Sequence, residues 1–351
     1  MLTRAGRAGR ERLRRFSAAA LVVFATSCGD SNPGGPSQTA PVLLCPAPQS
    51  AQSLTGDPAV VNYPAPTVNG GTTPVTTSCL PSSGSRFPVG TTKANCTARD
   101  SSDRTASCTF AVTVTKVPQL GATRFVAFGD SITAGVIATS CPAGGGVNCS
   151  VSTSTMSAAQ HRFELQKIFA NLEETTAAYP RALQTRLAAR YAAQSISIAN
   201  EGVPGEFVVD GKRRLAGTLG GSPQALLLLE GANDMNQSRP PTDAIVEDLR
   251  VMVREGRGRG MTVLVATLLP QRQTACRGYD FCDGVNDTFV LNAKIRTMVA
   301  SESATLVDLY PSFDGQTNTL LGLDGLHPNE AGYQKMADLF FQVIQQTLEI
   351  R

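Results

Sequence analysis

The chain has 351 residues, 42% hydrophobic and 17% charged, with nine cysteines and no tryptophan. That composition excludes a disordered chain and leaves room for two domains. The formal charge of +3 originates in residues 1–27, with six arginines and one glutamate; the remainder holds 25 basic and 27 acidic residues and argues against nucleic acid as a partner.

Residues 1–27 read as an export leader, with "MLTRAGRAGRERLRRF" as its positive segment and "SAAALVVFA" as a short apolar core. So short a core cannot cross a bilayer as a helix, which takes about 20 residues. Small residues then lead into Cys28, and "ATSC" resembles the lipobox of bacterial lipoproteins, with Ala25 where leucine is most usual. The resemblance implies cleavage before Cys28, acylation of that cysteine and a lipid anchor that attaches the protein to a membrane of the bacterial cell envelope. By the same resemblance, Gly29 after the lipobox cysteine implies that transfer to an outer membrane or the cell surface is permitted. An ordinary signal peptide cut near Ser27, releasing a secreted protein, is the alternative. Residues 28–40, rich in Gly, Pro and Ser, make a flexible tether.

An odd number of cysteines in an exported chain asks for one special residue, and Cys28 fills that place. The other eight group by spacing as four, two and two. Cys141–Cys149 and Cys276–Cys282 each fall in one loop and read as local disulfides of an oxidising compartment. No histidine adjoins either pair, so no metal is expected there.

Over residues 41–117, short Val/Thr-rich runs such as "VTTSCL", "TKANCTA" and "CTFAVTVTKV" alternate with turn residues, the pattern of an antiparallel β-sandwich. Cys45, Cys79, Cys96 and Cys108 would staple a core too small to hold by burial alone. "CLPSSGSRFPVGTTKANCTARDSSDRTASCTFAVTV" closely resembles the hyalin-repeat (HYR) module, an immunoglobulin-like fold associated with adhesion or spacing. Three connectivities of four cysteines are possible; Cys45–Cys108 with Cys79–Cys96 is preferred. The expected role is a spacer.

Residues 118–351 change to a rhythm of strand, loop and helix. Apolar runs of strand length occupy 124–128, 195–200, 225–231, 262–269 and 304–310, and their continuous character predicts a parallel sheet covered on both faces. Amphipathic stretches at 179–193, 241–256, 289–303 and 329–350 predict the covering helices. In the last, Met336, Leu339, Phe340, Val343, Ile344 and Leu348 recur at helical spacing and read as core. The expectation is a three-layer α/β/α domain whose ligand site lies beyond the carboxyl ends of its strands.

The polar motifs fall there. Gly129-Asp130-Ser131 follows the first strand and Asn200-Glu201-Gly202-Val203-Pro204-Gly205 the second. Gly231-Ala232-Asn233-Asp234 follows the third, and Asp324-Gly325-Leu326-His327-Pro328 the fifth. A nucleophilic serine needs a base near neutrality, most often histidine, and the chain has two. His161 lies in a polar insertion, whereas His327 has an aspartate three residues before it. If Asp324 and His327 share a tight turn, the carboxylate accepts the Nδ1 proton and leaves Nε2 facing Ser131.

"FGDSITAG", "NEGVPGE", "GAND" and "DGLHPN" together resemble the sequence blocks of the SGNH, or GDSL, hydrolases, in family order over about residues 122–350. The resemblance implies a flavodoxin-like hydrolase domain acting on esters, with Ser131 as nucleophile and Asp324 and His327 as acid and base. It assigns the oxyanion hole to the backbone N–H groups of Ser131 and Gly205 and the side chain of Asn233, with Gly202 as the rival of Gly205. Asp130 and Asp234 read as loop-shaping hydrogen bonders.

The expected activity is that of a surface-anchored serine esterase or lipase-like acyl hydrolase, needing no cofactor and no metal. Its substrate is an ester of a lipid, an acetylated glycan or a short acyl chain; no oligomeric state is assigned. A binding lipoprotein with an inactive hydrolase domain, and an acyltransferase using the same triad, are the alternatives. Two cysteine-bearing insertions, after Gly135 and after the fourth strand, are expected to border the cleft and shape the acyl or alcohol pocket, or else to be stapled surface padding.

Overall fold

Alternating Val, Thr and Cys favour extended chain, and the N-terminal segment is rich in strands: β1 (Val42–Leu44), β2 (Gln49–Ser53), β3 (Ala59–Val60), β4 (Thr67–Asn69), β5 (Thr76–Leu80), β6 (Arg86–Phe87), β7 (Gly90–Arg99) and β8 (Thr105–Lys116). This is the strand content of an immunoglobulin-like module. The computed structural model describes residues 39–138, 173–238, 240–272 and 284–350; Cys28, Cys141, Cys149, His161, Cys276 and Cys282 lie outside them. Backbone packing divides the described chain into two compact units: residues 39–46, 64–82 and 94–110 in one, and 47–63, 83–93 and 111–350 in the other.

In the first unit, β1 runs antiparallel to β4, and β5 runs antiparallel to the second half of β7 with Cys79 opposite Cys96. Ala94, Cys96 and Ala98 point inward with the period of two that a strand imposes. Disulfides join Cys45 to Cys108 and Cys79 to Cys96. In the second unit, β2 pairs parallel with residues 112–116 of β8, and β3 pairs antiparallel with β6.

The rest of the second unit is the α/β domain. In chain order it contains β9 (Arg124–Gly129), α1 (Ser131–Ala134), β10 (Val136–Ile137), β11 (Glu173–Glu174), α2 (Tyr179–Arg190), β12 (Ser197–Gly202), α3 (Val208–Thr218), β13 (Ala225–Leu229) and α4 (Thr242–Gly258). β14 (Thr262–Ala266), α5 (Gly284–Ser301), β15 (Thr305–Val307), α6 (Tyr310–Phe313), α7 (Thr317–Leu320) and α8 (Glu330–Leu348) follow. The five long-range strands form one parallel sheet in the order β12-β9-β13-β14-β15. That is the flavodoxin-like arrangement.

Helices cover the sheet as the amphipathic stretches require. α2 packs with α8, where the Tyr179 ring stacks on Phe340 at 4.8 Å between centroids. α3 packs on α4, and α4 on α5. Met336, Phe340 and Ile344 are fully buried, and Leu339, Val343 and Leu348 pack against the core beside them.

The expected burial holds at the centre of the sheet, where every residue of β13 is buried, and fails at its edge. In β12, Ser197, Ala199 and Asn200 are exposed, because an edge strand has a neighbour on one side only. The apolar run at 304–310 also divides: its strand ends at Val307, and Tyr310-Pro311 opens α6. α3 has no counterpart among the helices expected from sequence. It carries two glycines in eleven residues, and packing of Val208 and Leu215 holds it in place of propensity.

The chain leaves β9 for β12 on one side, then crosses to β13 on the other. The order reverses beside β9, which opens a crevice beyond its carboxyl end. Among the described residues no helix is long and apolar enough to cross a membrane.

Candidate active site

β9 ends at Gly129, and the turn that follows is set by Asp130, whose Oδ1 accepts from the Ile132 N–H at 2.9 Å and caps α1. Ser131 therefore opens α1 at the mouth of the crevice, 3% exposed. Its neighbours come from the adjacent strands, since Gly202 and Leu229 both lie in register with Gly129.

The two glycines of the β12 loop have different surroundings. A Cβ on Gly202 would fall on the Ala134 backbone nitrogen and lie 2.6 Å from Ala134 Cα, so this position is reserved for close packing against α1. The Gly202 N–H is also spent, donating to Asn200 Oδ1 at 3.1 Å. Gly205 has φ +79°, the left-handed region, in a turn held by Val203 N–H to Gly129 O at 2.8 Å and Glu206 N–H to Val203 O at 3.1 Å. The backbone N–H groups of Gly205 and Ser131 donate to no acceptor among the described residues.

After β13, Asn233 is 3% exposed and donates from Nδ2 to the Glu206 carbonyl at 2.9 Å. That bond ties the Gly205 loop to the Asn233 loop. Asp234 accepts the Val208 N–H on Oδ2 at 3.0 Å, fixing the start of α3.

The fourth motif forms a tight turn before α8. Leu321 bridges to Pro328, and the Gly322 N–H donates to His327 O at 2.7 Å. Asp324 Oδ1 accepts from the Leu326 N–H at 3.0 Å and the His327 N–H at 3.1 Å, while Oδ2 hydrogen-bonds His327 Nδ1. The other ring nitrogen, Nε2, lies 2.8 Å from Ser131 Oγ across 196 residues of sequence. Burial alone would raise the Asp324 carboxyl, but the charge and hydrogen bonds of His327 and the turn's N–H groups hold it below its ordinary range.

Other carboxyls around the site move the opposite way. Burial lifts Asp130 to about 6, against the Ile132 hydrogen bond, and Asp234 to about 7, against the Val208 hydrogen bond. Glu230, 2% exposed at the end of β13, is pushed well up by burial and then by the nearby Glu206 carboxylate. Buried carboxyls thus line the floor, with an ionised Asp324 at the wall.

Chemically, an imidazole in this setting can take a proton from Ser131 Oγ while its other N–H is fixed by a carboxylate. Backbone N–H groups at the start of α1 and in the Gly205 turn are of the kind that receive an oxyanion. A separate cavity of about 630 Å³, lined by Ile137, Ala138, Leu321, Leu323 and Arg272 among others, has none of Ser131, Asp324 or His327 in its wall. It is not where these side chains meet. Among the described residues, the only cluster of metal-type ligands is Cys45, Cys96 and Cys108, all engaged in disulfides.

Sequence reasoning passed over Glu206, Arg214 and Glu230, a cluster of ionisable side chains near the Gly205 turn. A signal was present: Glu230 closes the otherwise apolar run "ALLLLEG". A carboxyl at the end of a buried strand needs a partner.

Residues 127–335, more than half of the chain, match the GDSL-like Lipase/Acylhydrolase family, and residues 37–114 match the HYR domain. Similar solved structures include a lipase/acylhydrolase from Enterococcus faecalis, 21% identical, with 64% of this chain and 96% of that one covered at a TM-score of 0.46. An esterase from Pseudoalteromonas sp. is 16% identical over 64% of this chain and 97% of its own, TM-score 0.45. A GDSL-like lipase from Bacteroides thetaiotaomicron is 17% identical over 64% and 89%, TM-score 0.42. No curated protein matches the chain.

Proposed function

The chain belongs to the GDSL-like lipase/acylhydrolase family, and we propose that it is a serine esterase that cleaves carboxylic esters at Ser131. The observation that carries this reading is the continuous hydrogen-bonded line from Ser131 Oγ through His327 to Asp324.

In the first step Ser131 Oγ attacks the ester carbonyl and its proton passes to His327 Nε2. Asp324 keeps the Nδ1 proton in place and stabilises the imidazolium. The carbonyl oxygen, now an anion, accepts from the N–H groups of Ser131 and Gly205 and from the Asn233 amide. Three aimed donors suit this task, and loss of one costs about 3–4 kcal/mol of transition-state stabilisation. As the intermediate collapses, the bond to the alcohol oxygen breaks and that oxygen takes the proton from Nε2. Water repeats the cycle on the acyl-enzyme, giving a carboxylic acid and restoring the Ser131 hydroxyl. Gly202 is left out of the hole because its N–H is already bonded to Asn200.

Hydrolysis of p-nitrophenyl esters from acetate to palmitate tests the reading. The wild type is expected to turn over part of the series and react with a fluorophosphonate at Ser131; Ser131→Ala should do neither. A wild type that equals the mutant on every ester and escapes the probe would remove the proposal.

The leader and Cys28 support a further part of it: an exported chain, lipid-anchored at the bacterial cell envelope, with the HYR-like segment as a stalk. Membrane-fraction association that survives Cys28→Ala would count against the anchor.

A further inference from the structure

Glu206 stands between two of the groups proposed to receive the oxyanion. Its backbone follows Gly205 directly, and its carbonyl oxygen accepts from Asn233 Nδ2 at 2.9 Å. Its carboxylate is gripped on both oxygens by Arg214: Nε donates to Oε1 at 2.8 Å and Nη2 to Oε2 at 2.7 Å. The same Nη2 donates to the Glu201 carbonyl at 2.9 Å. One guanidinium therefore holds the loop at its entry and at its exit.

Arg214 is itself fixed on two other elements. It belongs to α3, and its guanidinium carbon lies 4.0 Å from the centroid of the Phe128 ring on β9, three residues ahead of Ser131. The paired Glu206 side chain is only 6% exposed. Near it sits the buried Glu230 carboxyl, whose pKa is pushed up by burial and by the neighbouring charge of Glu206. None of these three groups touches Ser131 Oγ or His327. Backbone hydrogen bonds from Val203 to Gly129 and from Glu206 to Val203 close the turn, and the Arg214–Glu206 pair adds the side-chain grip that anchors it to α3.

We propose that the Arg214–Glu206 pair is the positioning device of the oxyanion hole, fixing both the peptide that carries the Gly205 N–H and the carbonyl that orients Asn233. The proposal rests on the esterase reading of Ser131. Its physical basis is the planar fork of arginine on a carboxylate, which sets direction as well as distance. A reacting group misplaced by about 1 Å costs on the order of 100-fold in rate, so a loop that must aim two donors gains from being held before substrate arrives.

Glu206→Gln, Arg214→Lys, Asn233→Ala and the double variant Glu206→Gln/Asn233→Ala are compared with wild type on one p-nitrophenyl ester, with unfolding temperatures alongside. Asn233→Ala is expected to lower kcat about 100- to 1,000-fold. Glu206→Gln is expected to lower kcat about 10- to 100-fold with KM within about threefold. Because the clamp acts partly through Asn233, the double variant should fall short of the product of the two losses by at least about fivefold. Arg214→Lys keeps the charge but not the fork, should show the same loss in kcat alone, and carries the test if Glu206→Gln does not fold. Unchanged kcat, a loss confined to KM, or losses that multiply in full would each overturn the positioning role. An active wild type with indifferent clamp variants removes this inference alone. An inert wild type with Ser131 unlabelled removes the esterase reading and this inference with it.

Discussion

Replacing Asp324 with asparagine tests how the turn before α8 controls the base. Oδ1 accepts two backbone N–H groups, from Leu326 and His327, so the asparagine must keep its carbonyl oxygen at that place. Its amide nitrogen then occupies the position of Oδ2, facing His327 Nδ1. An NH₂ group donates where the carboxylate accepted. The ring answers by carrying its proton on Nε2, which points an N–H at Ser131 Oγ and leaves no lone pair to take the serine proton. Loss of the tautomer-setting carboxylate in a Ser-His-Asp arrangement costs about 10,000-fold in kcat. That is about 5.5 kcal/mol of barrier. The hydrogen bonds of Asp324 go to His327 and to its own turn, so KM should stay within about threefold. With both backbone hydrogen bonds retained, the thermal midpoint should hold. Steady-state kinetics on p-nitrophenyl acetate with purified Asp324→Asn reads the result. A fall in kcat of less than about tenfold would refute the reasoning, because it would mean that the ring finds its working tautomer without the carboxylate.

Two further outcomes follow from the floor of the site. Asp130 is fully buried and its carboxyl is raised from 3.8 to about 6, so the native state holds this proton more tightly than the unfolded chain. Its stability contribution is complete below pH 3.8 and is lost as pH rises through 6. Asp130→Asn retains an oxygen to cap Ile132 and removes the charge; its stability relative to wild type should therefore improve by about 2 kcal/mol between pH 4 and pH 7.5 in urea titrations, and a constant difference would exclude the titration. Gly202→Ala places a Cβ on the Ala134 backbone and 2.7 Å from the Thr133 carbonyl carbon, forcing α1 and its serine away. kcat should fall about 100-fold, measured by ester hydrolysis, and a variant of full activity would show that α1 can yield at no cost to the site.

Local order in this protein is legible in its residues alone. Apolar runs bounded by turn residues specify strands, and the stripe from Met336 to Leu348 specifies a buried helix, because period and turn chemistry act over a few residues. The Asp324–His327 turn was legible for the same reason: three residues separate partners that one turn brings together. Features that depend on distant parts of the chain emerge only on folding. The order β12-β9-β13-β14-β15 sets β12 at an edge and exposes part of a run that reads as buried. Packing sustains α3 despite its glycines, and with it the guanidinium that grips Glu206. The choice between Gly202 and Gly205 was open in the sequence, where both are glycines of one loop. Packing of α1 on Gly202 and the bond from its N–H to Asn200 are what favour Gly205 in the proposed oxyanion hole, and neither is visible in the sequence. Ser131 and His327 meet across 196 residues because two strand ends and a helix start share one rim of a parallel sheet. No local pattern encodes that meeting; it follows from burying the apolar faces of the sheet between helices, which fixes the rim as a consequence.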